Sequence, residues 1–261
     1  KKMLRKERLL ILTEIVNQEG IITVADIVKQ LNVSDMTVRR DLDELDKAGK
    51  ILRIHGGAQS ISYALDQELS HTEKQEVQKE EKKAIAKLAA SYVEDGDTIF
   101  LGPSTTIEIL ASYLGGKKIR IITNSYPVFE NLRQYDTADI IMIGGDYRKN
   151  TGAFFGPIAN DNLKKLKFTK CFISANGIHN EAISTYSMAE GETQNIALNN
   201  SRTKYLLADN KKFNRDDFYN FYNLHDIDHL VTDDHISADL VTHYSQDVTL
   251  TQAQTEEGAN L

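Results

Sequence analysis

Over the first fifty residues apolar positions recur at intervals of three and four. Leu9, Leu12, Ile15 and Val16 form one stripe within residues 4–18, which predicts an amphipathic helix. In "EGIITVADIVKQLN" the stripe is Val24, Ile27, Val28 and Leu31, with Thr23 as N-cap and Asp26 three residues on, the order of a capping box. Only Asn32 and Val33 separate this helix from Ser34, which can cap a third helix ending at Gly49. Two short helices joined by so tight a turn predict a helix-turn-helix. The following "KILRIHGGAQSI" reads as strand, turn and returning strand, which adds a wing.

Residues 59–74 are polar, without a stripe, and read as a linker feeding a helix over 73–94. The pattern then changes. Short continuous apolar runs ("DTIFLG", "IRIIT", "ADIIMIGG", "KCFISA", "KYLLAD", "DHLVTD") alternate with helical stretches such as "STTIEILASYLG" and "AEGETQNIALNNS". Strands without polar alternation, separated by helices, predict a parallel sheet covered on both faces. The expected architecture is a winged helix-turn-helix over residues 1–58, the linker, an α/β parallel-sheet domain over 75–250, and a disordered tail over 251–261.

Composition narrows the class. The chain of 261 residues is 41% apolar, enough for a sizeable core. It has no apolar run of about 18 residues, so no membrane helix is expected, and its basic start lacks a signal-peptide cleavage site. The lone Cys171, inside an apolar run, reads as a core residue and fits a reducing, cytoplasmic compartment. The net charge of −7 is uneven: residues 1–60 carry +2 and the remainder −9. A mildly basic module on an acidic body permits nucleic-acid binding by the former.

At 100° per residue the third helix turns Val38, Leu42 and Leu45 to the core. Met36, Arg40, Asp43 and Lys47 fall opposite, with Thr37 alongside and Arg39 on the flank. Thr37 and Arg40 are thereby placed to enter a major groove, and Arg39 to reach phosphate. Ser34 and Met36 at the helix start, Lys47 at its end, and Arg53 and His55 in the wing complete the candidate DNA contacts. Asp41 and Asp43 would repel phosphate unless each is paired with a cation.

Ligands of doubly wound sheets bind at the carboxyl ends of strands. Five such ends carry suggestive residues: Pro103-Ser104-Thr105-Thr106 opening a helix, Asn124-Ser125, Gly144-Gly145, Asn176-Gly177, and Lys212. Hydroxyls and amides at a helix start, with a lysine nearby, suit a small anionic polyol such as a sugar phosphate.

"VSDMTVRRDLDEL" followed by "GKILRIHGGA" resembles the N-terminal signature of the DeoR family of bacterial sugar-catabolism repressors. Ser34, Thr37, Arg39, Arg40, Asp41, Leu42, Gly49, Arg53, His55, Gly56, Gly57 and Ala58 carry the match. The resemblance continues more loosely to about residue 232. It implies an effector domain with the fold of ribose-5-phosphate isomerase and a phosphate loop of the form Asp-x-Gly-Ser/Thr-Thr. Here Gly102 stands for the acid and Ser104 for the glycine, while Thr105, Thr106, Asn124, Gly144-Gly145 and Lys212 match. "GP-x-TT" and "NVSDMTVRRDL" are similar to the lactose-operon branch of the family, which implies tagatose 6-phosphate as effector and no other cofactor.

The expectation is a homo-oligomeric repressor, dimer or tetramer, that binds operator DNA under control of a phosphorylated sugar. A rival is a sugar-phosphate isomerase with a DNA-binding arm, for which Glu190, Glu192 and Asp209 are available bases. A Zn²⁺ site from His225, His229, Asp233, Asp234 and His235 is a weaker alternative, because "HDIDHLVTDDH" runs from a turn into a strand.

Overall fold

Three local signals set the start of the chain. Thr23 Oγ1 accepts from the Asp26 amide at 3.1 Å and donates to the Asp26 carboxylate at 2.6 Å, closing the capping box. Ser34 caps the next helix by accepting from the Thr37 amide at 3.3 Å. That helix ends in a Schellman motif: Gly49, at φ +64°, donates to Asp46 O, and Lys50 donates to Leu45 O, each at 2.9 Å. In the computed structural model, which describes residues 5–54, 56–60, 71–135 and 139–256, these signals delimit α1 (Arg5–Glu19), β1 (Ile21–Thr23), α2 (Val24–Leu31) and α3 (Asp35–Lys47).

The wing follows as β2 (Leu52–Ile54) and β3 (Gly57–Gln59), with β3 in the middle of an antiparallel sheet ordered β1-β3-β2. Gly57 is required there. A Cβ on it would stand 2.2 Å from the Ile22 carbonyl oxygen of the adjacent strand. Leu12, Val16, Ile27, Val38, Leu42 and Ile51 close the small core beneath, each fully buried. The expected winged helix-turn-helix is therefore present.

The chain divides into two compact units: Lys1–Glu68 with Asn214–Phe218, and Leu69–Phe213 with Tyr219–Leu261. The second unit opens with α4 (His71–Glu76) and α5 (Lys79–Ser91). Then follow β4 (Thr98–Leu101), α6 (Thr105–Ser112), β5 (Arg120–Thr123), α7 (Tyr126–Leu132), β6 (Asp139–Met142), a hairpin of β7 (Asp146–Arg148) and β8 (Ala153–Phe155), α8 (Gly156–Leu163) and β9 (Phe168–Ser174). The chain continues through β10 (Gly177–His179), β11 (Ala182–Thr185), α9 (Met188–Asn199), β12 (Ser201–Leu207), β13 (Tyr219–Asn223), β14 (His229–Asp233), α10 (Ala238–Tyr244) and β15 (Thr249–Ala253).

Seven of these strands form one sheet in the order β15-β14-β12-β9-β4-β5-β6, with every neighbouring pair parallel. Alternate residues feed two cores, as the pleat requires. Ile99, Leu101, Phe172, Tyr205, Leu207 and Val231 pack beneath α5, α6 and α7. Phe100, Cys171, Ile173, Leu206 and Leu230 pack on the other face with α8 and α9. The connection reverses direction at β4: β5 and β6 lie to one side, and β9, β12, β14 and β15 to the other. The gap between β4 and β9 is thus the topological switch point.

Three expectations need correction. The sequence from 251 is not a patternless tail as far as residue 256. Thr251–Ala253 completes edge strand β15, paired with β14, and the buried Thr255 donates its amide to Asp234 Oδ1 at 3.3 Å. An edge strand can be polar because only part of it is covered, so "TLTQA" carries no apolar run to announce it. The α/β unit also begins before residue 75, since α4 belongs to it. The single helix expected over 73–94 is two helices, α4 and α5, interrupted at Val77 and Gln78, and α4 contains no apolar residue from which periodicity could set its start.

Candidate functional site

In the first unit α3 presents the predicted face. Val38, Leu42 and Leu45 are buried, while Met36 and Arg40 point outward, with Met36 80% exposed. The two aspartates are paired. Asp41, wholly buried, accepts from Arg8 Nε, and Asp43 accepts from Arg53 Nε at 2.9 Å. Their charges are therefore neutralised beside the reading face instead of opposing phosphate.

The remaining cations differ in freedom. Arg39 is clamped by Asp35 at 2.6 Å, which raises its pKa, first through the hydrogen bond and then through the charge. Arg40 and Lys47 are exposed and make no hydrogen bond or ion pair among the described residues. Arg53 is committed to structure. Besides Asp43 it donates from Nη1 to Gly57 O at 2.6 Å, so it braces the wing against α3, and only part of its guanidinium remains for phosphate. Thr37 Oγ1 lies 2.8 Å from Ser34 Oγ within the cap. His55 lies outside the described residues.

In the second unit a cavity of about 650 Å³, counting its open mouth, sits at the switch point. Three strand ends build it: Pro103, Ser104, Thr105 and Thr106 after β4; Ser174, Ala175 and Asn176 at the end of β9; and Asp209 and Lys212 after β12. Ser104 caps α6, its Oγ accepting from the Thr106 and Ile107 amides at 3.1 and 3.2 Å, which turns that helix start toward the cavity. Asp209 caps a short 3-10 turn, Asn210–Lys212, accepting from the Lys211 amide at 3.0 Å and so setting the position of Lys212.

Other walls come from residues the sequence reading did not select: His71 and Lys74 on α4, Lys82 on α5, Asn150, Thr151, Thr185, and Glu190 and Gln194 on α9. Lys82 is 5% exposed and donates to the Lys74 carbonyl. Burial lowers its pKa, and nearby Asp209 opposes that. Glu190 is held by Arg148 at 2.9 Å and by Thr185 Oγ1 at 3.0 Å. Gln194 Oε1 and Thr151 Oγ1 are buried with no hydrogen-bond partner among the described residues. Three lysines, a hydroxyl-rich helix start and unsatisfied polar groups together suit an anion that also carries hydroxyls.

Five predicted effector contacts do not line this cavity. Asn124 Nδ2 donates to Phe154 O at 2.8 Å, and Ser125 Oγ caps α7. A Cβ on Gly145 would lie 2.4 Å from Phe155 O, so that glycine permits close backbone packing, and Gly144 beside it also stays away from the cavity. Gly177 begins β10 and accepts from Ser184 Oγ at 3.2 Å. β5 and β6, which the first four of these follow, lie on the far side of β4 from β9 and β12.

The family comparison agrees with both units. Residues 8–64 match the model of the DeoR-like helix-turn-helix domain, and residues 77–234 match the DeoR C terminal sensor domain. The chain belongs to the DeoR family. DeoR-family relatives include a lactose phosphotransferase system repressor of Lactococcus lactis subsp. lactis, 46% identical over 96% of this chain and 100% of its own. A protein of the same name from Streptococcus mutans is 45% identical over 88% and 93%. Among solved structures, a ribose 5-phosphate isomerase A from Neisseria gonorrhoeae is similar over 51% of this DeoR-family chain and 52% of its own, at TM-score 0.38 and 19% identity.

Other candidate groups in this DeoR-family chain are otherwise employed. Cys171 is buried in the core, and burial pushes its thiol up to about 12. Among the described residues, ligand atoms of Asp233, Asp234 and His235 come within 4.8 Å of one another, without His225 or His229. Asp233 already accepts from Asn210 at 2.6 and 2.7 Å, and His235 is 3.0 Å from Glu81. None of the helices among the described residues is long and apolar enough to cross a membrane.

Proposed function

We propose that this protein is a DNA-binding transcriptional repressor of a sugar-catabolic operon, of the lactose/galactose type, and that a phosphorylated sugar in the α/β cavity controls it. The observation that carries the reading is the union in one chain of a free Arg40 on a capped reading helix with a lysine-rich, hydroxyl-lined cavity at a switch point. The Ser104–Thr106 loop, Lys74, Lys82 and Lys212 suit the phosphate, and Gln194 suits the hydroxyls at the other end. The resemblance to the lactose-operon branch implies tagatose 6-phosphate as the effector, and relatives named lactose phosphotransferase system repressor support the lactose part of that reading.

The same cavity argues against an isomerase. Glu190 is engaged by Arg148 and Thr185, and Asp209 caps the turn beneath Lys212, so neither is a poised base. Glu192 is exposed and does not line the cavity. One winged module makes few phosphate contacts, so symmetric half-sites read by a dimer or tetramer supply the affinity an operator needs. The compartment consistent with this role is the cytoplasm.

The test is a gel shift of the purified chain on its own upstream DNA, with tagatose 6-phosphate titrated against fructose 6-phosphate and galactose 6-phosphate. Specific binding that weakens steeply with salt and responds to one sugar phosphate is expected. Absence of a shift at low ionic strength, with or without these sugars, refutes the repressor reading. Turnover of any of them above background refutes the non-enzymatic one.

A further inference from the structure

Helix α4 is attached to the α/β unit differently from its neighbours. Its sequence, HTEKQE, has no apolar residue, and none of its side chains is buried. Hydrophobic packing, which holds α5 and α6 through Ile85, Ala89, Ile107 and Leu110, contributes nothing to its docking. Polar contacts hold it instead. The His71 amide donates to Asn150 O at 2.9 Å, and His71 Nε2 lies 2.8 Å from Glu108 Oε2 without the geometry of a hydrogen bond. Gln75 Nε2 donates to the same carboxylate at 3.2 Å. Lys82 Nζ donates to Lys74 O, and Lys74 Nζ reaches Asn176 Oδ1 at 3.4 Å.

Three of these groups, His71, Lys74 and Lys82, are also cavity wall. Lys74 and Lys82 are close enough for their charges to oppose each other. An anion placed between them turns that repulsion into attraction of both toward one centre. Among the described residues Lys82 Nζ donates to the Lys74 carbonyl and Lys74 Nζ reaches the Asn176 amide oxygen, while the charges of Asp209 and Glu81 act on Lys82. Along the chain α4 is the first described element after the wing.

We infer that α4 is a strap whose docking onto the α/β unit reports the occupancy of the cavity by a phosphorylated ligand. The inference rests on the phosphosugar reading above and adds the element through which that ligand is sensed. Binding shifts a population rather than creating a new fold, because the ligand favours the docked strap by its contacts with Lys74 and Lys82. Gln75 and Glu108 belong to the strap's fastening and do not line the cavity.

The test uses the full chain and two readouts on one sample: calorimetry for binding, and hydrogen exchange for the amides of residues 72–76. Tagatose 6-phosphate, fructose 6-phosphate and galactose 6-phosphate serve as probes. Binding of one of them should slow exchange in 72–76 by about fivefold or more, the low end of ordinary allosteric coupling. In Gln75→Ala and Glu108→Ala, the same sugar should still bind, but its effect on DNA affinity should shrink by about fivefold. Heat of binding with unchanged exchange in 72–76, or full DNA response in both variants, overturns the strap and leaves the phosphosugar reading standing. No heat with any of the three sugars overturns that reading and the strap with it. Gln75→Ala changes a partly exposed polar side chain, so the outcome does not depend on Glu108→Ala folding.

Discussion

Asp41→Ala tests how the reading helix is held. The carboxylate is wholly buried and its Oδ2 receives Arg8 Nε, while its Oδ1 has no hydrogen-bond partner among the described residues. Removing one member of a buried pair strands the other and typically costs about 3–5 kcal/mol. Arg8 keeps 11% of its side chain exposed, so the stranded guanidinium can reach water, and the low end, about 3 kcal/mol, applies. A unit this small has only about 3–9 kcal/mol in all, at roughly 0.05–0.15 kcal/mol per residue. Hydrogen exchange of the α3 amides in the full chain is the assay. Their protection should fall about a hundredfold, with operator binding falling alongside, while the α/β unit keeps its protection. The unsatisfied Oδ1 makes the pair imperfect, so Arg8→Met with Asp41→Leu should recover most of the loss. A loss below about 1 kcal/mol, or a double variant no better than Asp41→Ala, refutes the view that this pair is costly to break and dispensable as a pair.

Three further outcomes are expected. Arg40→Ala should lose about 1–3 kcal/mol of operator preference in a competition gel shift, whereas Arg39→Ala, whose charge Asp35 already compensates, should weaken binding slightly and evenly across sequences. Burial pushes the Asp97 carboxyl upward, but hydrogen bonds from Lys170, the Glu94 amide and Thr169 outweigh this and hold it below its ordinary 3.8. The stability from that depressed carboxyl is present above 3.8 and is lost as pH falls below it, so Asp97→Asn should lower the urea midpoint at pH 7 and flatten its fall in acid. Cys171, its thiol raised to about 12 by burial, should resist iodoacetamide in the native protein and react only at the rate of unfolding; rapid native labelling contradicts the assignment to the core.

The readable parts of this chain were those whose physics is local. Thr23, Ser34 and Gly49 delimit helices through bonds to residues within five positions, and Val38, Leu42 and Leu45 face inward because a helix turns at a fixed pitch. The strands "TIFL", "RIIT" and "KYLL" declare themselves because a sheet covered on both faces excludes polar alternation. Antiparallel β10, β11 and β13 are short and mix apolar with polar residues, and α4 and edge strand β15 are mostly polar, so none carries a continuous apolar run. The cavity was half legible. Ser104, Thr105, Thr106, Asn176 and Lys212 follow β4, β9 and β12, whereas Asn124 and Gly144 follow β5 and β6 on the other side of β4, and no local rule separates the two groups.

What the sequence determined by itself was the capped reading helix and the strands of the covered sheet, because caps, pitch and pleat act over a few bonds. Strand order, which decides which loops meet, was settled by the tertiary structure alone. So were the pairing of Arg8 with Asp41 across 33 residues and the approach of Lys74 to Asn176 across 102, since charges and amides find such partners only after the chain has folded back on itself.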